Sequence, residues 1–158
     1  MAHRLFPKDD TMRYLLFLFG LISLTACSVE EQLERREDRI LGTWVIDRAR
    51  FDENGDLFND NVDDLYKGDL IDFYADGTTN YESINNDLFV GLWRITPWRE
   101  EVNGEGDVEF ILDAEFYFPN GDLAFAWVGE INRLGNNDFN LSISEPTGVL
   151  RLRLDRVQ

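Results

Sequence analysis

The sequence predicts an all-β fold, an eight-stranded antiparallel up-and-down barrel with a short helix before its first strand. Three observations carry this prediction. Apolar and polar residues alternate along successive segments from residue 40 onward. Turn signals rich in Gly, Asn, Asp and Pro separate these segments at short intervals. Consecutive strands joined by hairpins form a meander, and an eight-stranded meander can close on itself and remove its exposed edges.

The N-terminal residues are typical of a secretory signal peptide, which we assign to residues 1–26. Arg13 precedes an apolar run over residues 15–24, and the small residues Thr25 and Ala26 follow it. The run is shorter than the roughly 20 apolar residues that a membrane-spanning helix needs. Met12 lies directly before Arg13 and is an alternative start of the chain.

Residues 27–39 connect the predicted leader to the predicted barrel, and this segment allows two interpretations. Val29, Leu33 and Ile40 are apolar among charged residues, and neither Gly nor Pro interrupts residues 29–40. Glu31 and Arg35 have the four-residue spacing that stabilises a helix. The segment is therefore either a short helix or a solvated tether.

The barrel is predicted over residues 40–158. Its eight strands are expected at residues 42–51, 69–74, 78–84, 88–101, 107–118, 122–132, 139–144 and 149–157. The last strand illustrates the pattern, because Leu residues at even positions alternate with charged residues at odd positions from Leu150 to Asp155. Pro97 predicts a bulge or an edge in the fourth strand.

Composition favours a binding protein over an enzyme. The chain of 158 residues has 15 Lys+Arg, 31 Asp+Glu and a formal net charge of −16, which argues against nucleic acid as a partner. The single His3 lies in the predicted leader, and Cys27 is the one cysteine, so neither a Ser-His-Asp triad nor a His/Cys zinc site can form after cleavage. We expect no catalytic residues, no cofactor and no metal.

Two groups of carboxylates are expected to be solvated surface features. The acidic loop over residues 52–64 contains six carboxylates, but it lacks the Gly and Glu positions of an EF-hand, so a turn is favoured over a calcium site. Asp113 and Glu115 alternate with apolar residues, which is typical of the wet outer face of a strand.

The tetrapeptide Leu24-Thr25-Ala26-Cys27 resembles the lipobox of bacterial lipoproteins. The resemblance implies that Cys27 becomes the lipid attachment site and that the acyl chains hold the protein to a membrane. Ser28 follows Cys27, so the Asp that retains enterobacterial lipoproteins in the inner membrane is absent, and Glu30-Glu31 resembles the acidic export tag of Bacteroidetes surface lipoproteins. The resemblance thus implies the outer membrane, at its periplasmic face or at the cell surface.

The start of the barrel resembles the first motif of the lipocalins, because Gly42-x-Trp44 enters the first strand after a short helical segment. In that family an arginine of the last strand stacks over this tryptophan and closes one end of the barrel. Arg151, Arg153 and Arg156 are the candidates here, and Arg153 is the central one. The Thr-Asp-Tyr motif of typical lipocalins is absent, and no disulfide is possible.

The lipocalin-like resemblance implies non-catalytic binding of a small apolar or amphipathic molecule by a monomer. Phe89 and Trp93 share one face of their predicted strand, and Phe125 and Trp127 share one face of theirs. These four side chains are the expected ligand-binding wall. The alternative is that they fill the barrel as a solid core, in which case the protein is a surface module that binds a glycan or a protein.

Overall fold

The computed structural model describes residues 28–54, 59–99 and 107–158. The predicted leader and the predicted lipid attachment site Cys27 lie outside the described residues. The described chain forms nine antiparallel strands, β1 (Gly42–Glu53), β2 (Asp60–Asn61), β3 (Leu70–Phe73), β4 (Thr78–Glu82), β5 (Leu88–Arg99), β6 (Val108–Tyr117), β7 (Leu123–Leu134), β8 (Asp138–Glu145) and β9 (Gly148–Arg156), and two helices, α1 (Val29–Ile40) and α2 (Asp63–Tyr66).

The sheet closes into a barrel because β1 pairs with strands on both of its edges. Its first residues pair with β3, from Gly42 opposite Phe73 to Val45 opposite Leu70. Nearly its whole length pairs with β9 on the other edge. The remaining strands pair in chain order from β3 to β9, while β2 is a short addition beside β1. The predicted eight-stranded antiparallel up-and-down barrel is therefore confirmed.

The segment before the barrel is a helix rather than an extended tether. The side chain of Ser28 caps α1 by accepting a hydrogen bond from the Glu31 backbone N–H at 3.2 Å. Ile40, at the C-terminal end of α1, is completely buried. The helix is thus fixed to the barrel by an apolar contact at the point where the chain enters β1.

The acidic loop contains two elements that the sequence pattern did not predict, β2 and α2. Asn61 pairs with Arg50 of β1. The Asp63 carboxylate accepts a hydrogen bond from the Ala49 backbone N–H at 2.7 Å, and this bond is the main reason that the pKa of Asp63 lies below its ordinary value. Polar bonds to β1 therefore order part of a segment that alternation alone assigns to a turn.

Pro97 does not form a bulge. The β5–β6 register runs without interruption through Pro97 opposite Phe110, whereas β4 reaches only as far as Leu92 on the other side of β5. Pro97 therefore occupies an edge position, where its missing N–H removes no ladder bond to β4. The register shifts occur elsewhere, and one of them, between Ile46 and Arg48 in β1, brings Arg48 opposite Arg153.

The interior of the barrel is filled with large apolar side chains. Those that are almost completely buried include Trp44, Phe73, Phe110, Phe116 and Phe139. The buried core as a whole takes side chains from β1 and from every strand between β3 and β9, so it is formed by the whole wall. Close packing of this kind fixes the register, because a slip of one residue would turn an apolar row outward.

One end of the barrel, which we call the closed end, is covered by α1 and contains Trp44. The Trp44 Nε1–H donates a hydrogen bond to the Ile40 carbonyl at 2.7 Å. The guanidinium carbon of Arg156 lies 4.2 Å from the Trp44 ring centroid. The same guanidinium donates hydrogen bonds to the carbonyls of Leu41 and Asn136, each at 2.6 Å, and to that of Arg39. Arg156 thus joins the helix, the tryptophan and the β7–β8 turn.

The arginine over Trp44 is therefore Arg156, and the prediction of Arg153 for this position is wrong. Arg156 pairs with Trp44 at the end of the β1–β9 ladder, within reach of the last carbonyls of α1. Arg153 opposes Arg48 instead, and its side chain is exposed on the outer wall. Alternation along β9 places Arg156 on the same face as Leu150, Leu152 and Leu154, whereas Arg153 faces outward. The register shift in β1 then brings Arg156, and not Val157, opposite Trp44.

Arg156→Ala is expected to lower the free energy of unfolding by about 2 kcal/mol, because the variant loses the cation–π contact and leaves carbonyls at the end of α1 without a donor. Urea unfolding followed by tryptophan fluorescence measures this loss. Arg153→Ala is the matched control and is expected to change stability by less than about 0.5 kcal/mol. Equal losses in the two variants would contradict the assignment of Arg156.

Candidate binding surfaces

Three of the four predicted wall residues lie in one aromatic cluster centred on Tyr81. The Tyr81 ring centroid is 6.0 Å from that of Phe89, 5.2 Å from that of Phe125 and 5.5 Å from that of Trp127. Most of these contacts are edge-to-face, which is the favourable arrangement of aromatic rings. Phe116 stacks on Phe125 at 4.7 Å within the same group. The structure thus brings residues from β4, β5, β6 and β7 together.

Trp93, the fourth predicted wall residue, lies apart from the contacts of the Tyr81 cluster. Its ring packs edge-to-face against Phe73 at 5.6 Å. Its Nε1–H donates a hydrogen bond to the Tyr74 carbonyl at 3.0 Å. It also lines an open surface cleft together with Glu37 and Asp38 of α1. Trp93 therefore belongs to the neighbourhood of the helix and the β3–β4 hairpin.

Exposure in the aromatic cluster increases toward the end of the barrel opposite α1, which we call the open end. Phe116 is completely buried, and Trp127 is 5% exposed. Phe89 and Phe125 are half-buried, and Phe118, which packs on Phe89 at 5.4 Å, is 46% exposed. Phe116 and Trp127 fill the interior of the barrel. Phe89, Phe118 and Phe125 form an apolar surface at the open end that a ligand can reach from solvent.

A buried polar pair fixes the centre of the cluster. Asp69 is only 2% exposed, and its carboxylate accepts hydrogen bonds from the Tyr81 hydroxyl and from the Ile84 backbone N–H, the latter at 2.8 Å. Burial, followed by the bond to Asp69, raises the pKa of Tyr81 far above its ordinary value. Alternation in the sequence does not predict this pair, although an acidic residue directly before an apolar strand is a usable signal.

The outer wall carries a second candidate surface, a groove of about 770 Å³ over β6 to β9. The exposed ring of Trp98 lies at this groove with 58% of its surface accessible. Hydrogen-bonding side chains share the groove with this ring, namely Glu109, Glu130, Asn132, Ser142, Ser144 and Arg151. The sequence alone does not predict this surface either, because cross-strand register decides which outward residues become neighbours.

Asp113 and Glu115 are engaged in local contacts on the outer wall. Asp113 accepts a hydrogen bond from Arg94 Nε at 2.9 Å, and Glu115 accepts one from the Tyr117 hydroxyl. Within residues 28–54, 59–99 and 107–158, no group of three or more His, Cys, Asp or Glu side chains is arranged to hold a metal ion. Asp56 of the acidic loop lies outside these ranges.

The geometry defines the class of protein as a closed antiparallel β-barrel with a filled interior. Comparison with known proteins finds no matching family model, no similar curated protein and no similar solved structure. Neither α1 nor α2 is long and apolar enough to span a membrane. Evidence for the function therefore lies in the two candidate surfaces and in the sequence motifs.

Tyr81 is expected to make the protein less stable at alkaline pH. Its pKa is higher in the folded than in the unfolded state, so its full contribution is present below the unfolded value of about 10 and is lost as the pH rises further. The free energy of unfolding should then fall by up to about 1.4 kcal/mol per pH unit above about pH 10.

Urea unfolding at a series of alkaline pH values measures this dependence. In Tyr81→Phe the free energy of unfolding should fall less steeply with pH than in the wild type. The missing bond to Asp69 lowers the stability of this variant by the same amount at every pH and so does not affect this slope. Tyr74→Phe, at a position that is 44% exposed, is the control and should keep the wild-type slope. An unchanged slope in Tyr81→Phe would refute the role given to the buried pair.

Proposed function

We propose that the protein is a lipid-anchored, non-catalytic binding protein that takes a small apolar or amphipathic molecule at the open end of a lipocalin-like barrel. The observation that carries the proposal is the exposed part of the aromatic cluster, formed by Phe89, Phe118 and Phe125. A ligand that covers these rings removes apolar surface from water, which is the main driving force for binding of this kind.

The filled barrel limits the depth at which this ligand binds. Phe116 and Trp127 are buried directly beneath the exposed rings, and both contact Phe125. The ligand therefore covers the end of the barrel instead of entering it fully. Such a shallow site suits an acyl chain or a flat ring with a polar group that stays in water.

The anchor is supported by the lipobox motif at Leu24–Cys27 and by the position of α1. The helix begins at Val29, two residues after Cys27, and its other end is fixed at the closed end of the barrel by Ile40 and Trp44. A lipid on Cys27 would thus be joined to the body by a short connection. This arrangement fits a bacterial outer-membrane lipoprotein, at either its periplasmic face or its outer face.

Cys27→Ser tests the anchor. The variant is expected to move from the membrane fraction to the soluble fraction of cells, because the thiol that would carry the acyl chains is gone. Fractionation followed by immunoblotting measures the distribution, and metabolic labelling with palmitate should label the wild type alone. A Cys27→Ser protein that remains in the membrane fraction would overturn the lipoprotein proposal.

Phe118→Ser tests the open-end site. Titration of the full chain with palmitate or retinol is expected to change tryptophan fluorescence, since Trp127 lies beneath the rings that the ligand covers. Phe118→Ser should weaken this binding about ten-fold, which corresponds to the loss of one well-buried aromatic contact. Leu65→Ser, at an exposed apolar position on α2, is the control and should bind like the wild type. Absence of any response would contradict the open-end site.

A second candidate function is a surface module that binds a glycan. The specific observation is the exposed Trp98 in a groove with amide, hydroxyl and carboxylate side chains. An aromatic ring can pack against the apolar face of a sugar, while such polar groups bond to its hydroxyls. The filled interior favours this candidate, because it directs binding toward the outside of the barrel.

A further inference from the structure

Four arginines form a square on the outer wall, two on each of the strands that close the barrel. Arg48 of β1 lies directly opposite Arg153 of β9, and Arg50 lies directly opposite Arg151. Like charges opposite each other on neighbouring strands destabilise a sheet. The arginine square is therefore a costly arrangement, and it occurs in a chain whose net charge is −16.

Nearby carboxylates neutralise the square unevenly. Arg151 forms an ion pair with Asp52 at 2.8 Å. Arg153 has looser partners, Asp47 at 4.0 Å and Asp155 at 3.8 Å. Arg48 and Arg50 form no ion pair with any residue in the described part of the chain. Arg50 nevertheless lies close enough to the Asp63 carboxylate to help lower its pKa. Arg48 is thus the guanidinium of the square that is most available to an anion from solution.

The arginine square forms part of a cleft of about 390 Å³ that also presents neutral hydrogen-bonding groups. Asn140 lies opposite Arg153 and Ser142 lies opposite Arg151, because β8 pairs with β9 on the side away from β1. Asn132 lines the same cleft. Guanidinium groups bind carboxylate and phosphate oxygens in a bidentate manner, and the amide and hydroxyl side chains suit the hydroxyl groups of a sugar.

This cleft is continuous with the Trp98 groove, since Asn132, Ser142 and Arg151 line both. The combined surface is polarised. Glu109 and Glu130 lie with Trp98 in the groove, where they can accept hydrogen bonds from hydroxyls but repel anions. The arginine square begins at Arg151, where the groove meets the cleft, and its other members line the cleft alone. A ligand that satisfies both parts has neutral sugar character at one end and negative charge at the other.

We propose that this surface binds an acidic oligosaccharide, with one sugar ring packed on Trp98 and a carboxylate or phosphate group held at the arginine square, chiefly by Arg48. The inference rests on the second candidate function and narrows its ligand to an anionic glycan. It does not depend on the lipid anchor or on the open-end site. Because the anion offsets the repulsion within the arginine square, binding should become weaker as the salt concentration increases.

Binding is measured by isothermal titration calorimetry on the full chain in a polyoxyethylene detergent, with tetragalacturonic acid as the probe. The fully methyl-esterified tetramer is the matched ligand, since it keeps the sugar rings and lacks the charges. We expect the acid to bind at least about ten-fold more tightly than the ester, as one charge-assisted bond implies. Inorganic phosphate and phosphatidylglycerol vesicles serve as non-glycan anions.

Two variants test whether binding depends on the arginine square or only on the net charge of the protein. Arg48→Gln should weaken binding of the acid about ten-fold and should not lower the melting temperature, because it relieves a like-charge pair. Arg94→Gln removes one charge from an exposed arginine that lines neither the arginine cleft nor the Trp98 groove, and it should bind like the wild type. Trp98→Ala should weaken the acid and the ester alike, whereas Leu92→Ala, an exposed control on the same strand, should weaken neither.

The outcomes distinguish the two levels of the proposal. Equal affinity for the acid and the ester would overturn the anionic-glycan inference and leave the glycan-binding candidate standing. No binding of either tetramer, together with binding of the vesicles, would overturn both in favour of an anionic bilayer. Equal losses in Arg48→Gln and Arg94→Gln would show a non-specific charge effect and would also overturn the inference.

Discussion

The ladder between β1 and β9 is the contact on which the rest of the molecule depends. Without it the sheet would be open, with two unpaired edges and an apolar face in water. With it, alternate residues of every strand are turned inward, and Trp44, Ala49 and Leu152 become core. The same ladder brings Arg156 to Trp44 and to the last carbonyls of α1, so closure of the wall also closes one end of the barrel.

Closure around such bulky side chains leaves function to the two remaining surfaces. The interior holds Tyr81, Phe116 and Trp127 in mutual ring contact, and Asp69 fixes Tyr81 from one side. Removing one of these rings would leave a cavity instead of a ready site, because a closely packed core relaxes only partly. Accessible chemistry is therefore found at the partly exposed rings of the open end and at the outer wall, where register assembles polar side chains from different strands.

Alternation and turn residues in the sequence were sufficient to predict the eight strands, since in a barrel every strand has one apolar and one polar face. They could not predict β2 and α2, which are held by polar bonds such as that from Ala49 to Asp63. They also cannot show how far along the barrel axis each inward side chain lies. Trp93 and Phe125 are therefore predicted to form one wall, although Trp93 packs against Phe73. Alternation along β9 does place Arg156 on the inner face with the leucines and Arg153 on the outer face, but the exact partner of Trp44 depends on a register shift, which is a property of the strand pair and not of either strand alone.

The arginine square lies on the same β1–β9 ladder that closes the barrel, and this coincidence has a physical consequence. The inner face of the ladder is strongly apolar, with Ala49 opposite Leu152 and Phe51 opposite Leu150, so it can carry an unfavourable outer face. A sequence selected for stability alone would alternate the charges of β1 and β9, as Asp52 and Arg151 do diagonally. Placing Arg48 and Arg50 opposite arginines keeps positive charge at the outer wall, and an anion from solution is the counter-charge that this arrangement accommodates.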